Sequence, residues 1–281
     1  MTENSSIIDI IENHINSEDG YPVLNPHAIK IQREITKNDP DLRVIQQLIQ
    51  RDPILTSEIL KTANSAFYKG LYAVETIKDA ILRLGQTAMV TIVMQVLLKS
   101  HFSSTDPTIK PYQKRLWHHS IVCATGASWT ARHLSMDDLI SKAFIGGLLH
   151  DIGKLFILTA IESIIKSDQQ TIKLQPELIT TLLNRFHTVQ GHALLTKWNL
   201  PKAYCIIARD HHLESYDSSD VLLSLVRIAN RISTKIELNG PDQDLYEIIN
   251  SPEADHLGLS DTGIAELEII MEDAYKKLTL K

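Results

Sequence analysis

The sequence has few features of a secreted, membrane-bound or nucleic-acid-binding protein. It holds only two cysteines in 281 residues, so one disulfide at most could form. Both Cys123 and Cys205 lie in apolar, helix-like stretches, which favours buried thiols in a reducing cytosol. The formal net charge is −6, and dividing the chain at residue 105 leaves both parts slightly acidic. This charge argues against nucleic acid and anionic membranes as partners.

Long apolar runs and targeting signals are also missing. Runs such as 143–149 fall far short of the roughly 18–20 residues that a membrane span requires. The first residues contain no basic segment, and Asp9 and Glu12 interrupt the apolar residues that follow. The sequence therefore predicts a soluble cytoplasmic protein without a membrane partner.

The spacing of apolar residues is helical almost throughout, and strand-like alternation is nearly absent. Apolar stripes of helical period begin at Ile7 and at Ile45. Two helix starts are marked by a side-chain acceptor followed by a proline, at Asn25-Pro26 and Asp52-Pro53. These patterns predict an all-α fold.

Two further elements are expected before residue 100. Gly85 is predicted to end, as a left-handed cap, a helix that begins near Thr76. Residues 88–98 are apolar on nearly every face, which predicts a helix buried in a core.

Turn-forming residues at 101–111 divide the chain into an N-terminal helical lobe, residues 1–105, and a C-terminal lobe, residues 106–281. The last predicted helix is amphipathic, and we expect it to pack on its own lobe or on a second subunit of a homodimer. The helices predicted in the C-terminal lobe cover residues 113–134, 137–150, 154–165, 176–186, 188–198, 201–211, 221–236 and 262–278.

Histidine is abundant and unevenly spread, since nine of the 12 lie after residue 105. His150 and Asp151 end an apolar helix, and a neutral imidazole beside a carboxylate suits a divalent metal if other helices supply further ligands. Lys154 lies near the same face, where it could hold a phosphate oxygen. Without a metal, Asp151 would pair with Lys154 and His150 would bond a carbonyl.

Other predicted helices supply further imidazoles, at His118-His119, His187 and His211-His212. Packing of these helices could bring the rings to one metal site. Alternatively, His211-His212 could stabilise a helix C-terminus without any ion. His133, His192 and His256 are interpreted as structural.

Eight short motifs follow one another between about residues 20 and 215: residues 21–26, 51–56, 63–68, 77–85, 116–120, 147–154, 187–191 and 198–201. Their succession resembles the HDOD family, a bacterial all-helical signalling domain distantly related to HD-type phosphohydrolases. The resemblance implies a two-lobed helical HDOD fold, in which the C-terminal lobe is similar to the HD-domain core.

Similarity to HD and HD-GYP hydrolases also implies a metal site for one or two ions of Fe, Mn, Zn or Ni. Asp151 and Lys154 would be the catalytic residues, with Lys154 contacting phosphate. The implied metal ligands are His119, His150, Asp151, His187, His211 and His212.

Two departures weaken this similarity. Asn230 stands where the HD pattern has its final aspartate, so the site loses one negative charge and we expect weaker metal binding. The Gly-Tyr-Pro element associated with cyclic di-GMP phosphodiesterases is missing after His212.

Two functions are compatible with these residues. Asn230 favours a regulatory signal-transduction module, whose remnant HD-like pocket binds a signalling protein or a nucleotide-like ligand. The intact His150, Asp151 and Lys154 favour a metal-dependent phosphohydrolase that acts on a phosphodiester or nucleotide. The sequence predicts the regulatory module, with the phosphohydrolase as the alternative. Metal content and turnover distinguish the two.

Overall fold

The computed structural model describes residues 41–65, 70–99, 103–167, 174–238 and 245–280, with isolated positions outside these ranges. Over the described residues the chain forms α-helices and a short 3₁₀ turn at Asp137–Leu139, without any strand. This confirms the all-α class. The helices in this part of the chain are α1 (Leu42–Gln50), α2 (Pro53–Ala63), α3 (Ile77–Lys99), α4 (Lys110–His133), α5 (Ile140–Leu149), α6 (Ile152–Ser167), α7 (Pro176–Lys197), α8 (Lys202–Asp210), α9 (Val221–Leu238), α10 (Leu245–Ile249), α11 (Pro252–Leu257) and α12 (Asp261–Thr279).

The chain divides into two compact units, residues 23–101 and residues 102–281 with 1–22. The first unit contains α1 to α3, and the second contains α4 to α12. The predicted helix start at Asn25-Pro26 lies outside the described residues. So does the stripe that begins at Ile7, apart from the buried Ile11.

Helix α2 begins as its sequence predicts. Asp52 caps it by accepting a hydrogen bond from the Leu55 amide at 2.9 Å, and Pro53 occupies the first turn, where no amide donor is needed. Leu55 and Ile59 are buried, so the apolar stripe faces the core of the first unit. The helix ends at Ala63, and Asn64 follows it as the C-cap residue.

The helical segment that begins at Ile77 ends at Gly85, as expected, and α3 consists of two segments that meet there at a kink. The φ of 72° and ψ of 170° at Gly85 lie outside the left-handed cap conformation and in a region open almost only to glycine. The chain then continues as helix to Lys99, with Met89, Val90 and Val93 buried. The prediction of a buried helix over 88–98 is confirmed.

In the second unit, α4 is the central helix. It packs against α5, α9 and α12, while α7 packs against both α6 and α8. Helix α12 thus packs on its own unit, one of the two arrangements that its amphipathic sequence predicted. The segment Asp137–Lys166 is long and apolar enough for a membrane span, but 89% of its most apolar window is buried within the fold. Its hydropathy therefore reflects the core.

The structure corrects one pair of predicted helices. Residues 176–186 and 188–198 form a single helix, α7, which runs unbroken from Pro176 to Lys197. No glycine or proline stands at the predicted break, and His187 Nδ1 bonds the Leu183 carbonyl of its own helix at 2.8 Å. His187 is therefore held on a rigid helix rather than at a helix end.

Candidate metal centre

Helices α5 and α6 meet at His150 and Asp151. Because α5 is apolar along most of its length, its end carries His150 into the core, and Asp151 beside it is only 1% exposed. Lys154 Nζ donates to Asp151 Oδ2 at 2.6 Å, and His150 Nδ1 donates to the Gly147 carbonyl at 2.7 Å. These are the two contacts that the sequence predicts for the site without a metal, Asp151 with Lys154 and His150 with a carbonyl. They leave Asp151 Oδ1 and His150 Nε2 facing the interior.

Four buried histidines surround the Asp151 carboxylate. His119 comes from α4, His150 from the end of α5, His187 from α7 and His211 from the end of α8. Asp151 Oδ2 lies 3.5 Å from Nε2 of His119 and of His150. Its Oδ1 lies 3.5 Å from His187 Nε2 and 3.4 Å from His211 Nε2. The carboxylate is therefore shared between two histidine pairs.

Hydrogen bonds fix the tautomer of each ring. His187 and His211 donate from Nδ1 to carbonyls four residues earlier at 2.8 and 3.0 Å, and His150 also donates to a carbonyl. His119 Nδ1 faces the Glu237 carboxylate at 2.7 Å. A neutral imidazole with its hydrogen on Nδ1 presents a lone pair at Nε2. The Nε2 atoms of all four rings consequently lie 3.4–3.5 Å from the shared carboxylate.

These atoms repel one another unless a cation lies between them. His119 Nε2 and His150 Nε2 are 3.2 Å apart, and Asp151 Oδ1, His187 Nε2 and His211 Nε2 are buried with no hydrogen-bond partner. With metal–nitrogen bonds of about 2.0–2.1 Å, ligand atoms around a tetrahedral ion are separated by about 3.3–3.4 Å. The observed separations of 3.2–3.5 Å match that spacing.

The protonation states also suit a metal. Burial lowers the pKa of His150 well below its usual value and that of His187 to about 4, so both rings are neutral at pH 7. Burial acts to raise the pKa of Asp151, but the Lys154 ammonium beside it outweighs this effect and holds that pKa well below its usual range. The centre therefore offers neutral imidazoles and an ionised carboxylate.

Two more predicted residues reach the centre. His212 is exposed, yet its ring lies 4.1 Å from that of His211, and it can offer a nitrogen within 4.8 Å of the ligand atoms of Asp151, His187 and His211. Asn230, on α9, places Oδ1 3.0 Å from His119 Nε2. The described residues thus include two groups of side chains that could hold a metal ion, and both groups contain Asp151.

A cavity of about 260 Å³ adjoins this centre. Arg231 extends into it from α9 with a side chain that is 37% exposed, whereas Arg227 is buried. The two guanidinium groups share the buried Glu253 carboxylate, so the wall keeps a net positive charge. The lining residues are His211, His212, Arg227, Asn230, Arg231 and Thr234.

Comparison with known proteins identifies the family. Residues 21–214 match the HDOD domain family. This chain belongs to the HDOD family. An uncharacterized protein from Treponema pallidum (strain Nichols) is 29% identical over 218 residues, which make up 75% of this chain and 42% of that protein. The chain thus spans less than half the length of this relative.

Solved structures share the HDOD fold. An HDOD domain protein of unknown function from Geobacter sulfurreducens superimposes with a TM-score of 0.73 at 19% identity, covering 98% of this chain and 100% of that one. A provisionally named metal-dependent phosphohydrolase from Shewanella amazonensis SB2B gives a TM-score of 0.66 at 20% identity, covering 95% and 97%. At these identities the likeness shows the fold alone.

The HDOD core brings together every metal ligand that the sequence predicted, with Lys154 bound to the shared carboxylate. The histidines interpreted as structural are not among the ligand groups found in the described residues. Of these, His133 stacks on Trp129 with ring centroids 4.7 Å apart. Its role is one of packing on α4.

Sequence reasoning missed the residues that hold the ligands in place. Glu237 and Ser233 both face His119 Nδ1, and they lie on α9 seven and three residues after Asn230. That helical spacing was the available signal. Arg227 Nη1 donates to the His211 carbonyl at 2.9 Å, and its Nε donates to Glu253 at 2.6 Å. The contact between Arg227 and Glu253 could not be predicted from local sequence, because the two residues are 26 positions apart in the chain.

Proposed function

We propose that this HDOD protein is a metal-dependent phosphohydrolase with a centre for two transition-metal ions. One observation carries the proposal: Asp151 Oδ1, His187 Nε2 and His211 Nε2 converge in the core without hydrogen-bond partners. Buried polar atoms are almost always satisfied, so this group calls for a cation. Imidazoles with a carboxylate suit Fe, Mn, Zn or Ni.

The ligands separate into two groups around Asp151. Its Oδ2, His119 and His150 would hold one ion with the amide oxygen of Asn230. Its Oδ1 would hold the second ion, with the remaining histidines of the centre, His187, His211 and His212. When bound, such ions polarise a phosphoryl group and lower the pKa of water, which supplies the nucleophile for hydrolysis.

The cavity beside the centre supports a phosphate ester as the substrate. Arg231 presents a guanidinium group that can bind phosphate oxygens in a bidentate manner. Lys154, with a side chain 22% exposed, keeps its ammonium at the centre through Asp151 and would stabilise charge on a phosphoryl oxygen. A nucleotide-like phosphoester fits this chemistry.

Metal content tests the proposal first. Protein purified without added metal or a histidine tag is expected to contain up to two Fe, Mn, Zn or Ni ions per chain, measured by elemental mass spectrometry. His150→Ala is expected to lose at least half of this metal, because it removes one ligand of the first group. A parent protein without stoichiometric metal would refute the proposal.

Turnover separates the enzyme from a regulatory module. We expect the metal-loaded protein to hydrolyse a generic phosphomonoester or phosphodiester, and the rate to fall to background after chelation. A fully loaded protein with no turnover on either substrate would favour the regulatory function, in which the same pocket senses a nucleotide-like ligand or signals to a partner protein.

A substitution of Arg231 tests the substrate cavity. Arg231→Gln is expected to raise KM for the phosphoester about tenfold, a loss of roughly 1.4 kcal/mol, because one charge-assisted contact is removed. Metal content should not change, since Arg231 is not a ligand. Arg209→Gln removes an exposed arginine that lies outside the cavity and serves as the control. An unchanged KM in Arg231→Gln would exclude the cavity as the phosphate site.

The cytoplasm is the compartment that we propose. Cys123 and Cys205 are both buried and unpaired, which is compatible with a reducing environment.

A further inference from the structure

The first ligand group has an electrostatic deficit. His119, His150 and Asn230 are neutral as ligands, and the Asp151 carboxylate is shared with the second group. A dication at His119 and His150 would thus have only part of one negative charge beside it. An aspartate at position 230 would supply the missing charge, but Asn230 cannot.

Glu237 lies where it can act on this group. It follows Asn230 by two turns of α9, is 9% exposed through its side chain, and places Oε1 2.7 Å from His119 Nδ1. Its second oxygen, Oε2, accepts a hydrogen bond from Arg115 Nε at 3.1 Å, which fixes the carboxylate. Ser233 Oγ also lies 3.1 Å from His119 Nδ1. One face of α9 therefore contacts both nitrogens of His119.

His119 differs in this respect from the other buried histidines of the centre. His150, His187 and His211 direct Nδ1 at backbone carbonyls, which are neutral acceptors. Only His119, among these described ligands, has a carboxylate there. A carboxylate on the distal nitrogen makes an imidazole a stronger ligand, and its loss typically weakens metal binding 10- to 100-fold.

We infer that Glu237 supplies, through His119, the negative charge that Asn230 does not supply directly. Glu237 is a positioning residue in this role, since it touches His119 and not the ion. The inference rests on the proposed metal centre, and the dependence on charge distinguishes it from a purely structural contact.

The test compares metal affinity in four proteins: the parent, Glu237→Gln, Asn230→Asp and the double variant. Competition with a chromophoric chelator, using Zn²⁺ or Mn²⁺ alone, gives the affinity of each of the two ions. Glu237→Gln is expected to weaken one ion about 10- to 100-fold and to leave the other nearly unchanged. Asn230→Asp in the Glu237→Gln background is expected to restore the affinity to within a few fold of the parent.

Glu268→Gln is the matched control. Glu268 lies on α12 and pairs with Lys235, which is on α9 like Glu237, but it touches none of the proposed metal ligands. This variant should leave both ions unchanged. Circular dichroism of the metal-free proteins shows whether each variant folds. If Glu237→Gln does not fold, Glu237→Asp, whose shorter side chain withdraws the carboxylate from His119, replaces it in the same comparison.

Each outcome bears on a separate claim. Parent-like binding in Glu237→Gln would overturn the role of Glu237 while leaving the metal centre intact. Weak binding that Asn230→Asp does not restore would show a structural contact and would also overturn the inference. A parent protein that binds no metal would instead overturn the proposed function.

Discussion

Asp151→Asn is expected to abolish binding of both metal ions, whereas His187→Ala should abolish only one. The reason is that each oxygen of Asp151 faces two histidine nitrogens, at 3.4–3.5 Å, and no other carboxylate contacts Nε2 of these rings in the described residues. An amide has one weak oxygen ligand and carries no charge. Both ions would therefore lose their shared anionic ligand.

The Asp151→Asn variant should nevertheless fold. Burying an ionised carboxylate is costly, and an amide NH₂ in its place can donate hydrogen bonds to the lone pairs of His187 and His211. We expect the metal-free variant to melt at the parent's temperature or slightly above it. The parent should gain about 4 kcal/mol of stability for each bound ion at a metal concentration 1,000 times Kd, and Asp151→Asn should gain almost none.

Calorimetry with and without metal measures this difference, and elemental analysis gives the ion count. His192→Ala is the control, because it deletes an imidazole from the same helix as His187 but outside the ligand groups. Two retained ions in Asp151→Asn would contradict a shared carboxylate. A loss of metal in His192→Ala would show that the effect is not specific to the centre.

The sequence located the side chains that converge on Asp151 better than it located the residues that support them. His150 and Asp151 stand in one motif, and the family resemblance located His119, His187 and His211 on other helices. Backbone carbonyls of the same helix orient His187 and His211. The ring of His119 is instead oriented by residues of α9, and this contact depends on how α9 packs against α4. Glu237 bonds His119 across 118 residues of chain. A pair so far apart in the chain can be identified only from the packing of the helices that carry its two residues.

The errors in the predicted helices have a similar origin. At Gly85 the local signal located the end of a helical segment, but the glycine adopts φ 72° and ψ 170° instead of the expected left-handed cap. The region around His187 was expected to separate two helices, yet α7 runs through it because nothing in the backbone there prevents it. Local signals located caps such as Asp52 well, where the deciding contact lies within one turn. They were weaker where tertiary packing decides.

Gly153→Ala is the second substitution with a large expected effect. Gly153 lies in the first turn of α6, where that helix crosses α7 with almost no space between the backbones. A Cβ at this position would lie 1.9 Å from the His187 carbonyl oxygen and 2.6 Å from the Gly191 nitrogen. Backbone atoms cannot rotate away, so the two helices would have to separate.

That separation would act on both stability and metal binding. We expect a loss of about 3 kcal/mol or more in the free energy of unfolding of the metal-free protein, measured by urea denaturation. Because α7 carries His187 and the start of α6 follows Asp151 directly, the 3.5 Å separation of their facing atoms would increase. The ion held by His187 and His211 should be lost even where the protein still folds.

Gly191→Ala is the matched control at the same crossing. Its Cβ would meet Gly153 N at 3.3 Å and Ala208 Cβ at 3.4 Å, contacts that small shifts relieve. Both substitutions replace a helical glycine by alanine, which by itself favours the helix by up to about 1 kcal/mol, so a larger cost of Gly153→Ala reports the crossing. We expect Gly191→Ala to cost less than about 1.5 kcal/mol and to keep both ions. Equal stability of the two variants would mean that the close approach of α7 does not require a glycine at position 153.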